Sequence, residues 1–231
     1  MKKQVILDFL IPFLILSCLT MVFWFTNADI VLEELFYSPE SGWFLNDRNP
    51  WHFFYHYGNI PAFVLASFAI ITFILSFFSH KLLPYKKISV FLVFLLVVGP
   101  GIIVNKAFKS HWGRPRPVQI ENFGGKEKFL PVWQKGVCTE CKSFPSGHAA
   151  IGYYLLSPFF FLRRFAKRWA LFFLCAGVIY GTLMGIGRMA QGGHFASDVL
   201  WSGGFVYLTG LTLYFVFRFD KEILVKSKEA S

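Results

Sequence analysis

Long apolar runs, each closed by a short polar stretch, dominate the chain. Six of them, at roughly 5–26, 60–79, 88–108, 146–162, 169–187 and 198–217, come near the ~20 residues that a helix needs to cross a bilayer. The pattern predicts an all-α, polytopic membrane protein, a bundle of six transmembrane helices. No repeat, low-complexity tract or linker divides it, so residues 1–231 read as one membrane-embedded domain. Gly99-Pro100-Gly101 predicts a kink in the third helix and Pro158 one in the fourth. Gly177, Gly181 and Gly185 recur every four residues and predict close helix packing.

Composition agrees, since 55% of residues are hydrophobic and 30 are Phe, too much apolar surface for a water-soluble domain of 231 residues. Charge orients the helices. Lys2 and Lys3, the loop HKLLPYKK at 80–87, RRFAKR at 163–168 and the tail from Arg218 are basic. With both termini cytoplasmic, all four lie inside, as the positive-inside rule expects. Residues 27–59 carry Asp29, Glu33, Glu34, Glu40 and Asp47 against a single Arg, which suits the outer face. Trp43, Trp51, Phe53, Phe54 and Tyr55 there read as interfacial anchors. The N-terminal run resembles a signal peptide, but it is long, bulky and interrupted by Asp8, which favours a retained anchor. The outer loop 109–145 is basic and departs from the charge rule.

Three polar clusters fall on that outer side. They are Lys109-Ser-His-Trp-Gly-Arg-Pro-Arg-Pro117, Pro145-Ser-Gly-His148 and Gly187-Arg-Met-Ala-Gln-Gly-Gly-His-Phe-Ala-Ser-Asp198. Their chemistry suits phosphoryl transfer, in which negative charge on the equatorial oxygens calls for fixed cationic donors. Lys109, Arg116 and Arg188 supply them, with Arg114 a further candidate; the Arg fork binds two oxygens at once. Ser146 and the amides of Gly147 and His148 sit at a predicted helix start, a favourable end for an anion. His194 and Asp198 are one helical turn apart if the last helix begins early enough. Asp198 can then hold one imidazole nitrogen protonated and leave the other free to attack. His148 remains as the acid for the leaving oxygen.

The ordered spacing Lys109-x6-Arg116-Pro117, Pro145-Ser-Gly-His148 and Arg188-x5-His194-x3-Asp198 resembles the signature of the type 2 phosphatidic acid phosphatase superfamily, with its motif core at 109–198. That superfamily includes bacterial lipid phosphatases and, more distantly, vanadium haloperoxidases. The resemblance implies a metal-independent hydrolase without cofactor in a bacterial inner membrane, its active site facing the periplasm. His194 would form a phosphohistidine, Asp198 orient it, and His148 act as acid and then base. Lys109, Arg116, Ser146, Gly147 and Arg188 would bind phosphate. One departure is visible: Gly187 stands where the third motif usually has Ser, which removes a hydroxyl but no catalytic side chain.

Taken singly, the basic residues read as snorkelling side chains and Asp198 as a helix cap; the joint spacing overrides these readings. His52, His56, His80 and His111 match no motif position and read as structural or surface residues. Trp112 reads as an interfacial ring, and Cys18 and Cys175 as buried packing residues. For Cys138-Thr-Glu-Cys141 a zinc site lacks its second half. A short disulfide on an oxidising face is the preferred reading, with a reduced pair as the alternative.

The basic excess of the outer loop, including Lys126, Lys128, Lys135 and Lys142, fits an anionic headgroup. The run Gly113–Gly125 with Phe129-Leu-Pro131 resembles a lipid A phosphatase subgroup. Lipid A is therefore the expected partner in the membrane, with undecaprenyl pyrophosphate or phosphatidylglycerol phosphate as alternatives and no nucleic acid. Lipid-to-lipid phosphotransfer would use the same phosphohistidine. A non-catalytic lipid-binding or transport protein is disfavoured, because Asp8 is the only clear acid deep within a predicted span.

Overall fold

The computed structural model describes residues 2–221. The Lys2 and Lys3 side chains and the tail beyond 221, used above to orient the chain, lie outside what it describes. The described residues are all-helical, with no strand beyond two isolated bridges. Helix α1 is Lys2–Phe25, α2 is Ala28–Glu34, α3 is Trp51–Tyr57 and α4 is Ile60–Leu75. Helix α5, Lys86–Leu96, continues as a π-helical segment over Val97–Lys109. Then come α6, Gly147–Tyr153, α7, Pro158–Leu162, α8, Lys167–Met189, and α9, Ala196–Val216.

Among the described residues, five stretches are long and apolar enough to cross a membrane: Val5–Phe25, Trp51–Leu75, Leu83–Lys109, Lys167–Met189 and Ala196–Val216. The second begins at Trp51, because α3 and α4 follow one another with only a brief interruption. The predicted span at 146–162 is not among the five. It is broken into α6, a 3₁₀ turn at Tyr154–Leu156 and α7. Pro158 has no N–H to continue the ladder and opens α7. Such a break is tolerable because the segment is enclosed: Ala149, Ala150, Tyr154, Leu156 and Phe160 are all buried, and α6 packs on α8 and α9. Irregular backbone survives at membrane depth only where protein surrounds it.

Burial ranks the helices. The apolar window of α9 is 50% buried and that of α1 only 6%, so α9 is central and α1 peripheral. Phe68, Phe78, Trp169 and Val216 are exposed large apolar side chains of the kind a lipid-facing surface carries. Cys18 and Cys175 are also exposed, against the buried role expected of them; each sits on the outward face of its helix. Asp8 pairs with Arg163 of the α7–α8 connection at 2.6 Å, so the acid that transport would need is occupied structurally.

The glycine stripe does pack closely. A Cβ on Gly177 would lie 2.3 Å from the Leu156 backbone nitrogen, one on Gly181 2.4 Å from the Tyr153 ring, and one on Gly185 2.2 Å from a Val199 methyl. At Gly99-Pro100-Gly101 the helix widens into π turns, and the Asn105 amide donates to the Pro100 carbonyl at 2.7 Å. Trp112, expected at the interface, instead packs on Trp133 and Phe144, and Trp43 packs on Tyr37 and Phe123. Gly177→Val should lower stability by about 1–3 kcal/mol through overpacking against the Leu156 backbone. Thermal unfolding of the detergent-solubilised variant measures it, and an unchanged midpoint contradicts the packing role.

Candidate active site

Each predicted cluster lies at a helix end. Lys109 closes the π-helical extension of α5, and Arg116 follows in the extended chain that leads into a 3₁₀ turn. Ser146 caps α6, its hydroxyl accepting the Ala149 N–H at 3.4 Å. Gly147 must be small: a Cβ there would stand 2.6 Å from the Asn105 amide oxygen. After α8 the chain turns sharply at Gly192, where φ is +61° and Trp43 leaves no room for a Cβ. Gly193 similarly leaves space for the Arg188 guanidinium, which also donates to Gln191.

His194 follows this turn and is wholly buried. Its Nδ1 lies 2.5 Å from the Ser143 carbonyl oxygen. A carbonyl only accepts, so Nδ1 carries the proton and, in the neutral ring, Nε2 carries the lone pair. That Nε2 is buried and has no hydrogen-bond partner among the described residues. Burial first, and the Lys109 charge second, push the imidazole pKa down to about 3, against an opposing pull from Asp198. The ring is thereby held neutral, as a nitrogen nucleophile requires.

Asp198 is not the direct partner of His194. The nearest approach, Oδ2 to Nδ1, is 3.8 Å, too long for a hydrogen bond. Helix α9 begins at Ala196, so His194 precedes it and the two residues do not share a helical turn. Asp198 acts one step back, accepting from the Ser143 hydroxyl at 2.5 Å and from the Phe195 N–H at 2.9 Å. Ser143 thus links the two: its hydroxyl is held by Asp198 and its carbonyl holds His194.

Arg114, a candidate for phosphate, is fully buried and engaged by protein acceptors instead. It donates to Asp198 at 2.5 Å, Asp29 at 2.8 Å, Ser197 at 2.8 Å and the Leu130 carbonyl at 2.9 Å. Burial works against its charge, but Asp198 and Asp29 more than compensate and raise its pKa. Asp29 also accepts the Ser197 N–H and hydroxyl. Beside it, burial and then the charges of Asp29 and Asp198 push the Glu33 carboxyl well above the usual range, towards its neutral form. In the sequence Asp29 and Glu33 read as outer-face acids, and both are buried. Charge bias cannot distinguish a solvated acid from a buried one.

Arg116 and Arg188 line a polar cavity of about 280 Å³, together with Gln191, Tyr55, His52 and His56, among others. His52 and His56, which match no motif position and read as structural or surface residues, thus stand at its wall. Tyr55, read as an interfacial ring, stacks on His148 with centroids 5.3 Å apart, and the Arg188 guanidinium lies 4.7 Å from the same ring's centre. Lys109 and Arg188 both act electrostatically on His194. The structure therefore gathers the three motifs round one site. Cys138 and Cys141 are joined as a disulfide in the loop before Ser143, with the Glu127 carboxylate nearby.

The sequence model of the PAP2 superfamily matches residues 88–223. The chain belongs to the PAP2 superfamily. A "Lipid A 4'-phosphatase" of Francisella tularensis subsp. novicida (strain U112) is 35% identical over 201 residues, covering 86% of this chain and 90% of that protein. A protein of the same name from Rhizobium etli is 36% identical over 50% of this chain and 45% of its own length. "Phosphatidylglycerophosphatase B" of Bacillus subtilis (strain 168) is 35% identical over 60% of this chain and 62% of its own. No solved structure gives a significant match. Asp29, Glu33 and Tyr55 all precede the PAP2 match at 88–223.

Two outcomes follow from this geometry. Arg114→Met leaves Asp29 and Asp198 buried without their cation and should destabilise the protein by about 3–5 kcal/mol, read by thermal unfolding; a loss under about 1 kcal/mol contradicts the central role of the pair. Between pH 6.5 and about 3 the unfolded chain binds a proton at His194 that the folded chain refuses. Stability should therefore fall as pH drops through that window, and His194→Gln should flatten this part of the profile; identical profiles contradict the neutral ring.

Proposed function

We propose that the protein is a metal-independent membrane lipid phosphatase that hydrolyses a headgroup phosphate ester, lipid A being the preferred substrate. The observation that carries the chemistry is His194, a buried neutral imidazole with Nδ1 satisfied and Nε2 unpartnered. Burial and then the Arg188 and Lys109 charges push the His148 pKa down to about 4, and the negative charge of a phosphoryl group held by those cations raises it again. Nε2 of His194 attacks phosphorus, the P–O bond to the lipid breaks, and His148 gives its proton to the departing oxygen. His148 then takes a proton from water, which displaces the phosphohistidine and releases inorganic phosphate. Lys109, Arg116 and Arg188, with Ser146 and Gly147, hold the phosphoryl oxygens throughout. Asp198 keeps Ser143 in place, and Ser143 keeps His194 in place.

The lipid A assignment is supported by the relative that aligns over most of both chains and by the basic outer loop. The Bacillus relative favours phosphatidylglycerol phosphate as the second reading. Lys/Arg bias supports an inner-membrane protein with both termini cytoplasmic and the site at the periplasmic face. Purified protein should release phosphate from lipid A in EDTA, faster than from phosphatidylglycerol phosphate or undecaprenyl pyrophosphate. His194→Ala should lower that rate by at least about 10³-fold. Abolition by EDTA would overturn metal independence, lack of turnover on lipid A the substrate, and retained activity in His194→Ala the nucleophile. Transfer of phosphate to a second lipid, with little released to water, would mark a phosphotransferase.

A further inference from the structure

The two histidines of the site are held in unlike ways. His194 is clamped through Nδ1 by a backbone carbonyl and sealed from solvent. His148 is half-buried, and no hydrogen bond to its ring is present among the described residues. The contact that fixes its plane is aromatic. The Tyr55 ring lies against it at a centroid distance of 5.3 Å and an interplanar angle of 25°. The Arg188 guanidinium, 4.7 Å from the centre of the same ring, fixes Tyr55 in turn.

Packing of the core does not demand this arrangement. Helix α3 contributes no buried residue, and Tyr55 itself is 37% exposed. A tyrosine at a membrane surface usually has its hydroxyl in water and its ring against lipid. Here the ring is applied to the catalytic candidate whose imidazole makes no hydrogen bond among the described residues. An acid that delivers a proton in flight must be aimed at the leaving oxygen, and a ring with no hydrogen-bonded nitrogen has no other means of being aimed.

We propose that Tyr55 is a positioning residue for the reaction, its ring holding His148 in the plane from which the proton reaches the departing oxygen. The proposal rests on the phosphatase reading. As the Nε2–P bond forms, the electron pair of the breaking P–O bond goes to the lipid oxygen, and the His148 proton neutralises it. An alkoxide leaves poorly without that proton, whereas a nitrophenolate leaves readily without it. In this first half-reaction misaiming His148 is therefore costly for an alkyl phosphate and cheap for an aryl one, whereas any loss in water activation is shared by both. The selectivity is accordingly read in kcat/KM, and general damage to the site would not produce it.

Tyr55→Ala and Tyr55→Phe, purified in detergent, are compared with the unsubstituted protein on a dialkylglycerol monophosphate and on p-nitrophenyl phosphate in the same micelles. For Tyr55→Ala, kcat/KM on the alkyl ester, which reports phosphohistidine formation and not its hydrolysis, should fall about 10- to 100-fold. On the aryl ester the loss should stay within about threefold. Tyr55→Phe, which keeps the ring, should stay near the unsubstituted rate on both. Equal losses on the two esters, or an undiminished alkyl rate in Tyr55→Ala, overturn the proposal. His148→Ala separates the failures. If it shows the leaving-group selectivity and Tyr55→Ala does not, the Tyr55 role alone falls. If it lacks the selectivity, the acid assignment to His148 falls and the Tyr55 proposal with it.

Discussion

Arg114 lies out of water between two carboxylates, Asp29 from α2 and Asp198 from α9, and the rest of the site is hung from that contact. A buried guanidinium keeps its charge only where anions and acceptors replace its hydration, and here both carboxylates, Ser197 and the Leu130 carbonyl do so. One consequence is mechanical. Because Asp198 is fixed by Arg114 on one oxygen, its other oxygen is free to fix Ser143, whose carbonyl in turn sets the His194 ring. A second consequence is electrostatic. Burial, and after it the charges of the two carboxylates close by, disfavour another negative charge, and Glu33 is accordingly pushed towards its neutral form.

This arrangement joins parts of the chain that lie far apart in sequence. Asp29 comes from near the N-terminus, Arg114 and Ser143 from opposite ends of the long outer loop, and Asp198 from the start of the central helix. The loop has no long helix of its own, so its shape comes from such tethers. Ser143 donates its backbone N–H to the Arg114 carbonyl, and the Trp112, Trp133 and Phe144 rings pack into the cluster beneath. The Cys138–Cys141 disulfide closes a turn just ahead of Ser143. A cationic loop that must meet an anionic headgroup would otherwise be kept loose by its own repulsion.

Much of this was legible in the sequence. Hydropathy recovers the long helices, because a span must be apolar over about 20 residues whatever its neighbours. The enclosed 146–162 segment defeats the same logic, since protein surroundings and lipid demand similar side chains while only protein permits a broken helix. Motif spacing brings Lys109, Arg116, Ser146, His148, Arg188 and His194 to one end of the bundle. Arg114 and Arg116 are alike in sequence, both followed by Pro, yet one is entombed and the other lines the cavity. What separates them is the distant Asp29, which no local pattern announces. The direct clamp on His194 was equally hidden, because a backbone carbonyl leaves no trace in residue type.

In the proposed reaction the unlike treatment of the two histidines has a physical logic. The nucleophile meets the same phosphorus in both half-reactions, as attacking atom and then as leaving group, so a rigid clamp costs nothing and keeps Nε2 on line. The acid first serves the lipid oxygen and afterwards an incoming water, which need not occupy the same point. A ring restrained by stacking keeps its plane while it can still slide or turn by a small amount, whereas a hydrogen bond to a ring nitrogen would fix its direction and consume a proton-carrying atom. A π face also favours the protonated imidazole, the form that delivers the proton. A tyrosine on a lightly packed surface helix meets these requirements. A residue from the core, locked by its neighbours, would not.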